Sequence, residues 1–307
     1  MTPDTTHAGP PRPTRIGSRR FTWGERTYVM GIVNVTPDSF SGDGLLGATD
    51  PVAAAVEQGR RMVDEGADLL DIGGESTRPG HEPVADDDEI ARVRPVVTAL
   101  RSAFPDTPIS VDTTKVAVAA AALDAGANLI NDVWGVAVDD ALLRLAAERG
   151  VPIVLMHNRT EARYTNVMRE VIEDLRAAIV RAGRAGVDED AILIDPGFGF
   201  GKTAGHNLEL LRALAALRSL GRPVLLGTSR KSTLGTVLDL PPEERVEATL
   251  VTTALGIAAG VDIVRVHDVR ANVRAARMAD AIVRGWAPAA PTPEPATTQL
   301  PAEGVLP

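Results

Sequence analysis

Three strand-end residues in this 307-residue chain could grip one flat ligand: Asp112 after Ile109-Ser110-Val111, Asn131 after Leu129-Ile130, and Asp195 after Ile192-Leu193-Ile194. Two carboxylates and an amide brought together can bind the edge of a heterocycle that displays adjacent N–H and C=O groups, as a guanine-like or pterin-like ring does. The same oxygens also suit a hard cation. The ring edge ranks first, because neutral ring donors satisfy buried carboxylates and Lys231 can offset their charge. A second group has the opposite character. Arg265 and His267 alternate along Ile263 to Asp268 and so point to one side, and with Arg78 they form an anion site. Asn34, at the end of Met30-Gly31-Ile32-Val33, is placed to take the Mg2+ that a diphosphate brings, since Mg2+ usually shares its shell with substrate phosphates and water. In the third group, Ser229-Arg230-Lys231-Ser232 opens a short helix through Thr233 to Leu238, where Lys231, Ser232 and the helix N–H groups suit a carboxylate or phosphate. Lys202 in Gly199-Phe200-Gly201-Lys202-Thr203 is not a phosphate-loop lysine, because Pro196 stands where that motif needs its first glycine. Phe200, between glycines, reads as the wall of a pocket. Phe40 is the one aromatic on a loop hinged on glycines after Asn34.

These groups need elements that aim them the same way. Eight apolar runs, ending near Asn34, Asp71, Asp112, Asn131, His157, Asp195, Thr228 and His267, read as strands buried on both faces. Between them, helical periodicity spans Pro51–Glu65, Asp86–Ala103, Lys115–Ala125, Asp139–Arg149, Val167–Ala185, Asn207–Leu217, Pro242–Ala259 and, after the last strand, Val269–Arg284. Strict alternation predicts a single α/β domain, a (β/α)8 TIM barrel over residues 18–286, close to the ~250 residues such a barrel takes. An open doubly wound sheet is the other arrangement. It is disfavoured because no strand-end glycine cluster has Gly-x-Gly-x-x-Gly spacing. Arg19–Trp23 and Arg26–Met30 around Gly24-Glu25 predict an N-terminal β-hairpin plugging the barrel bottom. Residues 1–17 and 287–307, rich in Pro, Ala and Thr, read as disordered tails.

Composition narrows the function classes. A net charge of −9 argues against a general nucleic-acid binder, and no run of about 18 apolar residues argues for a membrane span. The absence of cysteine excludes thiol catalysis and disulfides. The proline-rich start has no apolar segment resembling a signal peptide, so a cytoplasmic address is expected.

Asn34-Val35-Thr36-Pro37-Asp38-Ser39-Phe40, Asp71-Ile72-Gly73-Gly74-Glu75-Ser76-Thr77-Arg78-Pro79-Gly80, Ser110-Val111-Asp112-Thr113, Asn131-Asp132, Asp195 to Lys202, Ser229 to Ser232 and Arg265-Val266-His267-Asp268 together resemble dihydropteroate synthase, the sulfonamide target of folate synthesis among the pterin-binding enzymes. The likeness spans the whole barrel. It departs at Met156-His157-Asn158-Arg159, where many members read Met-His-Met, and at Ser41-Gly42-Asp43-Gly44. What the resemblance implies is a transferase that condenses 6-hydroxymethyl-7,8-dihydropterin diphosphate with p-aminobenzoate. By that similarity Asp112, Asn131, Asp195 and Lys231 hold the pterin, Asn34 the Mg2+, and Thr77, Arg265 and His267 the diphosphate. The p-aminobenzoate lies against Phe40, Thr77, Pro79, Phe200, Lys231 and Ser232. Asn34, Lys231, Arg265 and His267 are the residues expected to carry catalysis. The likeness also implies a homodimer formed through late helices. Two alternatives stay open: a non-catalytic or weakly active pterin-binding paralogue, and a methyltetrahydrofolate:corrinoid methyltransferase.

Overall fold

The computed structural model describes residues 9–36, 50–76, 83–136 and 139–286. The chain enters through an antiparallel hairpin, β1 (Thr14–Ile16) and β2 (Arg19–Phe21), then alternates strand and helix. In order come β3 (Tyr28–Asn34), α1 (Pro51–Asp64), β4 (Leu69–Gly73), α2 (Asp86–Ala103), β5 (Ile109–Asp112), α3 (Val116–Asp124), β6 (Leu129–Asp132), α4 (Ala141–Arg149), β7 (Ile153–Met156) and α5 (Val167–Arg184). The second half holds β8 (Ile192–Asp195), α6 (Ala204–Arg212), β9 (Leu225–Leu226), α7 (Ser232–Leu238), α8 (Val246–Ala258), β10 (Ile263–Val266) and α9 (Val269–Val283). All neighbours in the eight-stranded sheet pair in parallel, in the order β8-β7-β6-β5-β4-β3-β10-β9. A parallel bridge between Ile194 and Val224, with the Ile194 N–H donating to Pro223 O at 3.0 Å, joins the two edges. The (β/α)8 barrel expected from the alternation is the fold observed.

Side-chain alternation along each strand divides the core. Leu70, Ile72, Val111 and Val264 face outward and pack under α1, α2 and α9 through Met62, Val96, Val97 and Val273. Met30, Leu69, Leu129, Val154, Leu193, Leu225 and Ile263 face inward, where they meet Ile16, Phe21 and Trp23 from the hairpin. Phe21, Trp23 and Tyr28 pack ring against ring with centroids 4.6 to 5.7 Å apart, Phe21 stacked on Trp23 and Trp23 edge-on to Tyr28. A hairpin does plug the bottom of the barrel, but its strands are not the expected pair. Tyr28–Met30 belong to β3 and bond to β4 and β10, so Arg19–Phe21 pairs instead with Thr14–Ile16. The expected tail therefore gives way before residue 17: the Thr14 hydroxyl donates to Asp190 O at 2.6 Å and accepts from Trp23 Nε1 at 3.0 Å.

Two helices also differ from their expected spans. The segment expected as Pro242–Ala259 opens with a 3-10 turn at Pro242–Glu244, and α8 begins only at Val246. Arg245 sets that break, its guanidinium donating to Leu240 O and Arg230 O at 2.9 Å each. The segment expected as Asn207–Leu217 starts earlier, at Ala204, because Thr203 and His206 form a capping box, and it passes into a 3-10 helix over Leu214–Leu220.

Candidate active site

The inward alternation continues one layer above the apolar floor. Two residues beyond Leu69, Leu129, Leu193 and Ile263 stand Asp71, Asn131, Asp195 and Arg265, so each shares the inward face of its strand. Asp112 joins them through register: Gly73 pairs with Asp112, and Asp112 pairs with Asn131. Asn34 pairs with Gly73 from the other side, which puts Asn34 and Asp112 on either flank of a residue without a side chain. A Cβ at Gly73 would lie 3.7 Å from the Asp112 Cβ and 3.8 Å from the Asn34 Oδ1. Thus the structure brings Asn34, Asp112, Asn131, Asp195 and Arg265 into one ring at the C-terminal mouth of the barrel.

Arg265 and His267 share the last strand end as expected, but their partners differ. The Arg265 guanidinium spans two carboxylates, with Nε donating to Asp71 Oδ2 at 2.5 Å and Nη2 to Asp112 Oδ2 at 2.7 Å. Asn131 Nδ2 donates to the same Asp71 oxygen at 3.1 Å. His267 instead uses Nδ1 with the Ser229 hydroxyl at 2.8 Å, and its backbone N–H donates to Ser229 Oγ at 3.2 Å. Asp71 was not among the residues singled out from the sequence. Its signal was its place at the end of an apolar strand, where it opens the Asp71 to Gly80 segment, and in the fold it is completely buried.

Charge and burial make this layer a site that asks for donors. Asp71 Oδ1, Asp112 Oδ1 and Ser110 Oγ are buried and have no hydrogen-bond partner among the described residues. Burial pushes the Asp112 carboxyl up to about 7, against the pull of Arg265. Burial likewise raises Asp195, whose Oδ1 accepts the Gly197 N–H at 2.6 Å and whose charge is opposed by Lys231. Lys231 is pushed down to about 8 by burial; it donates to Phe198 O and lies 4.4 Å from the centroid of the Phe200 ring. Burial opposes the charge on Arg265 too, yet Asp71 and Asp112 hold it above the ordinary arginine value. Three carboxylates against two cations leave oxygens that a ring's N–H groups can satisfy.

Beyond the strands, Lys231 is the cap of α7 and Ser232 its first residue, as the short-helix reading expected. Arg230 is held out of the way, its φ of 55° fixed by a paired contact to Asp268 at 2.6 and 2.9 Å. Phe40, Thr77, Arg78 and Pro79 lie outside the described residues. Among the described residues no group of three or more His, Asp or Glu side chains is arranged to hold a metal ion. A Mg2+ that keeps its waters and takes most of its ligands from a diphosphate needs only one or two protein oxygens, and the Asn34 amide at the rim fits that modest role.

The pterin binding enzyme family model matches residues 30–267. A dihydropteroate synthase of Clostridium beijerinckii is 51% identical over 271 residues, 88% of this chain and 99% of that one. A crystal structure of a dihydropteroate synthase from Clostridium difficile, in the presence of pteroic acid, superposes with a TM-score of 0.82 at 47% identity, covering 86% of this chain and 99% of that one. The Xanthomonas albilineans dihydropteroate synthase with 4-aminobenzoic acid gives 0.82 at 44% identity, with coverage of 89% and 98%.

Proposed function

This chain belongs to the pterin-binding enzyme family, and from that premise we infer that it is a transferase with dihydropteroate synthase activity. It condenses 6-hydroxymethyl-7,8-dihydropterin diphosphate with p-aminobenzoate. The arylamine nitrogen attacks the pterin methylene, the C–O bond to diphosphate breaks, and the nitrogen loses a proton, giving 7,8-dihydropteroate and diphosphate. The single observation that carries this reading is the buried ring of Asp71, Asp112, Asn131 and Asp195 with two cations, Lys231 and Arg265, set among the carboxylates.

On this reading Asp112, Asn131 and Asp195 take the ring N–H groups, and Lys231 lies between the pterin and the arylamine. Unpartnered oxygens on Asp71 and Asp112 support it, as does a lysine stacked near Phe200. Arg265 anchored on two carboxylates, with His267 two residues on, supports a diphosphate site at the rim, where negative charge grows as the C–O bond breaks. Thr77 would join them there. Phe40, Thr77, Pro79, Phe200 and Ser232 would enclose the p-aminobenzoate. Asn34 would hold a Mg2+ carried in by the diphosphate, and when bound that ion would neutralise leaving-group charge. The amine is neutral near pH 7, so the attacking atom needs no strong base, and the work of the site is to hold both partners and exclude water. Exposed Val251 and Leu255 on α8 and Met278 and Ile282 on α9 support a homodimer through those helices. No helix among the described residues is long and apolar enough to cross a membrane.

The test is direct. Purified protein incubated with the pterin diphosphate, p-aminobenzoate and Mg2+ should release dihydropteroate and diphosphate in equal amounts. Pterin binding without turnover would favour the inactive paralogue. A methyltransferase would transfer no pterin to the arylamine and would have no use for the rim cations.

A further inference from the structure

Lys202 remains unexplained by the substrates. Its ammonium is enclosed by three acceptors, Gly197 O, Phe200 O and His157 Nδ1, each at 3.0 Å. An ammonium has three hydrogens and no lone pair, so it matches three acceptors one to one. The neutral amine would have only two hydrogens and a lone pair facing one of the acceptors. On its far side His157 contacts Asp174 Oδ2 through Nε2 at 3.1 Å, and Arg159 holds that carboxylate from the other direction at 2.7 Å. The imidazole is completely buried, and burial together with Lys202 keeps it neutral, with its pKa down at about 3. Nε2–H therefore donates to Asp174, and Nδ1 is left to accept from Lys202.

The turn that Lys202 ties down leans on the chain after β7 with no room to spare. A Cβ at Gly197 would stand 1.8 Å from His157 O, and one at Gly201 2.2 Å from Arg159 O; both glycines have positive φ, 68° and 53°. Tyr164 adds a hydrogen bond from its hydroxyl to Gly201 O at 3.0 Å. Between the two glycines lie the Phe198 carbonyl that receives Lys231 and the Phe200 ring beneath it. Whatever fixes this turn also fixes Lys231.

We propose that Lys202 is a positioning residue: its ammonium ties the Gly197–Gly201 turn to His157, and through that turn sets Phe200 and Lys231 where the two substrates meet. The proposal deepens the synthase reading and rests on it for its kinetic consequence. The groups facing the ammonium are Asp195 from β8, His157 and Arg159 after β7, Asp174 on α5, Lys231 before α7 and the Tyr164 ring at 5.9 Å. Burial moves Lys202 down to about 7, so the tie should loosen on the alkaline side.

The chain contains no cysteine, and this permits a specific test. Lys202→Cys, alkylated with 2-bromoethylamine in denaturant and refolded, regains an ammonium of nearly lysine length; alkylation with 1-bromopropane restores the bulk without the charge. Lys202→Met should raise the KM for p-aminobenzoate roughly ten- to hundredfold with a smaller change in kcat, and should speed amide exchange across residues 197–201. The aminoethylated protein should recover the KM and the exchange protection, whereas the propylated one should not. The sulfur makes the restored amine less basic, so the alkaline limb of kcat/KM should move to lower pH. Lys231 also titrates there but is unchanged between the proteins. If the propyl form recovers as well as the aminoethyl form, or Lys202→Met keeps the parent KM and exchange, the proposal is wrong. If the parent makes no dihydropteroate, the synthase reading fails, and the exchange comparison alone decides whether Lys202 holds the turn.

Discussion

Arg265 reaches carboxylates that lie 194 and 153 residues away in the chain, and its removal should be felt in both chemistry and stability. Arg265→Ala should lower turnover by about two to three orders of magnitude, because a cation is lost where negative charge develops. It should also destabilise the fold by roughly 3–5 kcal/mol, since Asp71 and Asp112 would be left buried without a counter-ion. The sign of the pH effect follows from Asp112, already held at about 7 by burial. Without Arg265 its folded pKa rises further above the unfolded value. The stability it contributes is then fully present below the unfolded pKa and lost as pH rises through the folded one. Thermal unfolding should show the variant's deficit constant at acid pH and growing as pH rises above about 7, and a deficit independent of pH would show that Asp112 does not carry it. A second residue bears on the ligand itself: Asp195→Ala should cost about 2–4 kcal/mol in affinity for the pterin substrate, read by calorimetry on the folded variant. The positions of Asp112, Asn131, Asp195, Arg265 and His267 at the barrel mouth were legible because polar residues at the ends of buried strands have few structural reasons to be there, and that of Lys231 was legible from the loop that opens α7. The partner of Arg265 was not legible. Two residues on one strand share a side, but which charges they meet depends on strands far along the chain, and Asp71 was read as a strand end without a ligand or a partner assigned to it.

Among the elements, the contact of β7 with α5 should dominate the acid limb of stability. His157 sits at the end of β7, buried and neutral, bonded to Asp174 of α5. In the unfolded chain its pKa is near 6.5, so as pH falls from about 6.5 toward about 3 the unfolded state takes up a proton that the folded state refuses. Stability should therefore decline over that window. His157→Gln, which cannot take up that proton, should give a shallower decline when urea midpoints are compared across pH; an unchanged slope would assign the acid limb to other groups. The turn packed against it allows a harsher test. Gly197→Ala combines a positive φ with a Cβ 1.8 Å from His157 O, and should cost at least ~2–3 kcal/mol in chemical denaturation. Helix periodicity was readable for the helices other than the short α7, because each buries one stripe. The start of α8 and the true partner of Arg19–Phe21 were not readable. One was set by the reach of Arg245 back to the carbonyls of Leu240 and Arg230, the other by competition in which the barrel, and not the hairpin, captured Tyr28–Met30.

At the scale of the molecule, the barrel itself could be read by counting, since eight alternating units leave few other closures. Its seam could not be read: β9 is only two residues long, and one bridge, Ile194 to Val224, joins the edges there. The hairpin is the larger addition. Ile16, Phe21 and Trp23 are almost wholly buried against the inward side chains of the strands, and Trp23→Ala should cost about 3–5 kcal/mol, measured by urea unfolding followed by far-UV circular dichroism. What the plug also does is make the barrel a well with a floor and a single opening. Traffic must pass in and out through one doorway. On the proposed reading the pterin occupies the bottom of that well, and the arylamine sits above it on the loops beyond the strands. Loading then has an order that no lid is needed to enforce: the deeper guest enters first, and the shallower one, once seated, bars its exit. In an isotope-trapping experiment, labelled pterin diphosphate already bound should escape ever more slowly as p-aminobenzoate is raised. Escape at a constant rate would mean a back door through the floor that the packed hairpin gives no room for.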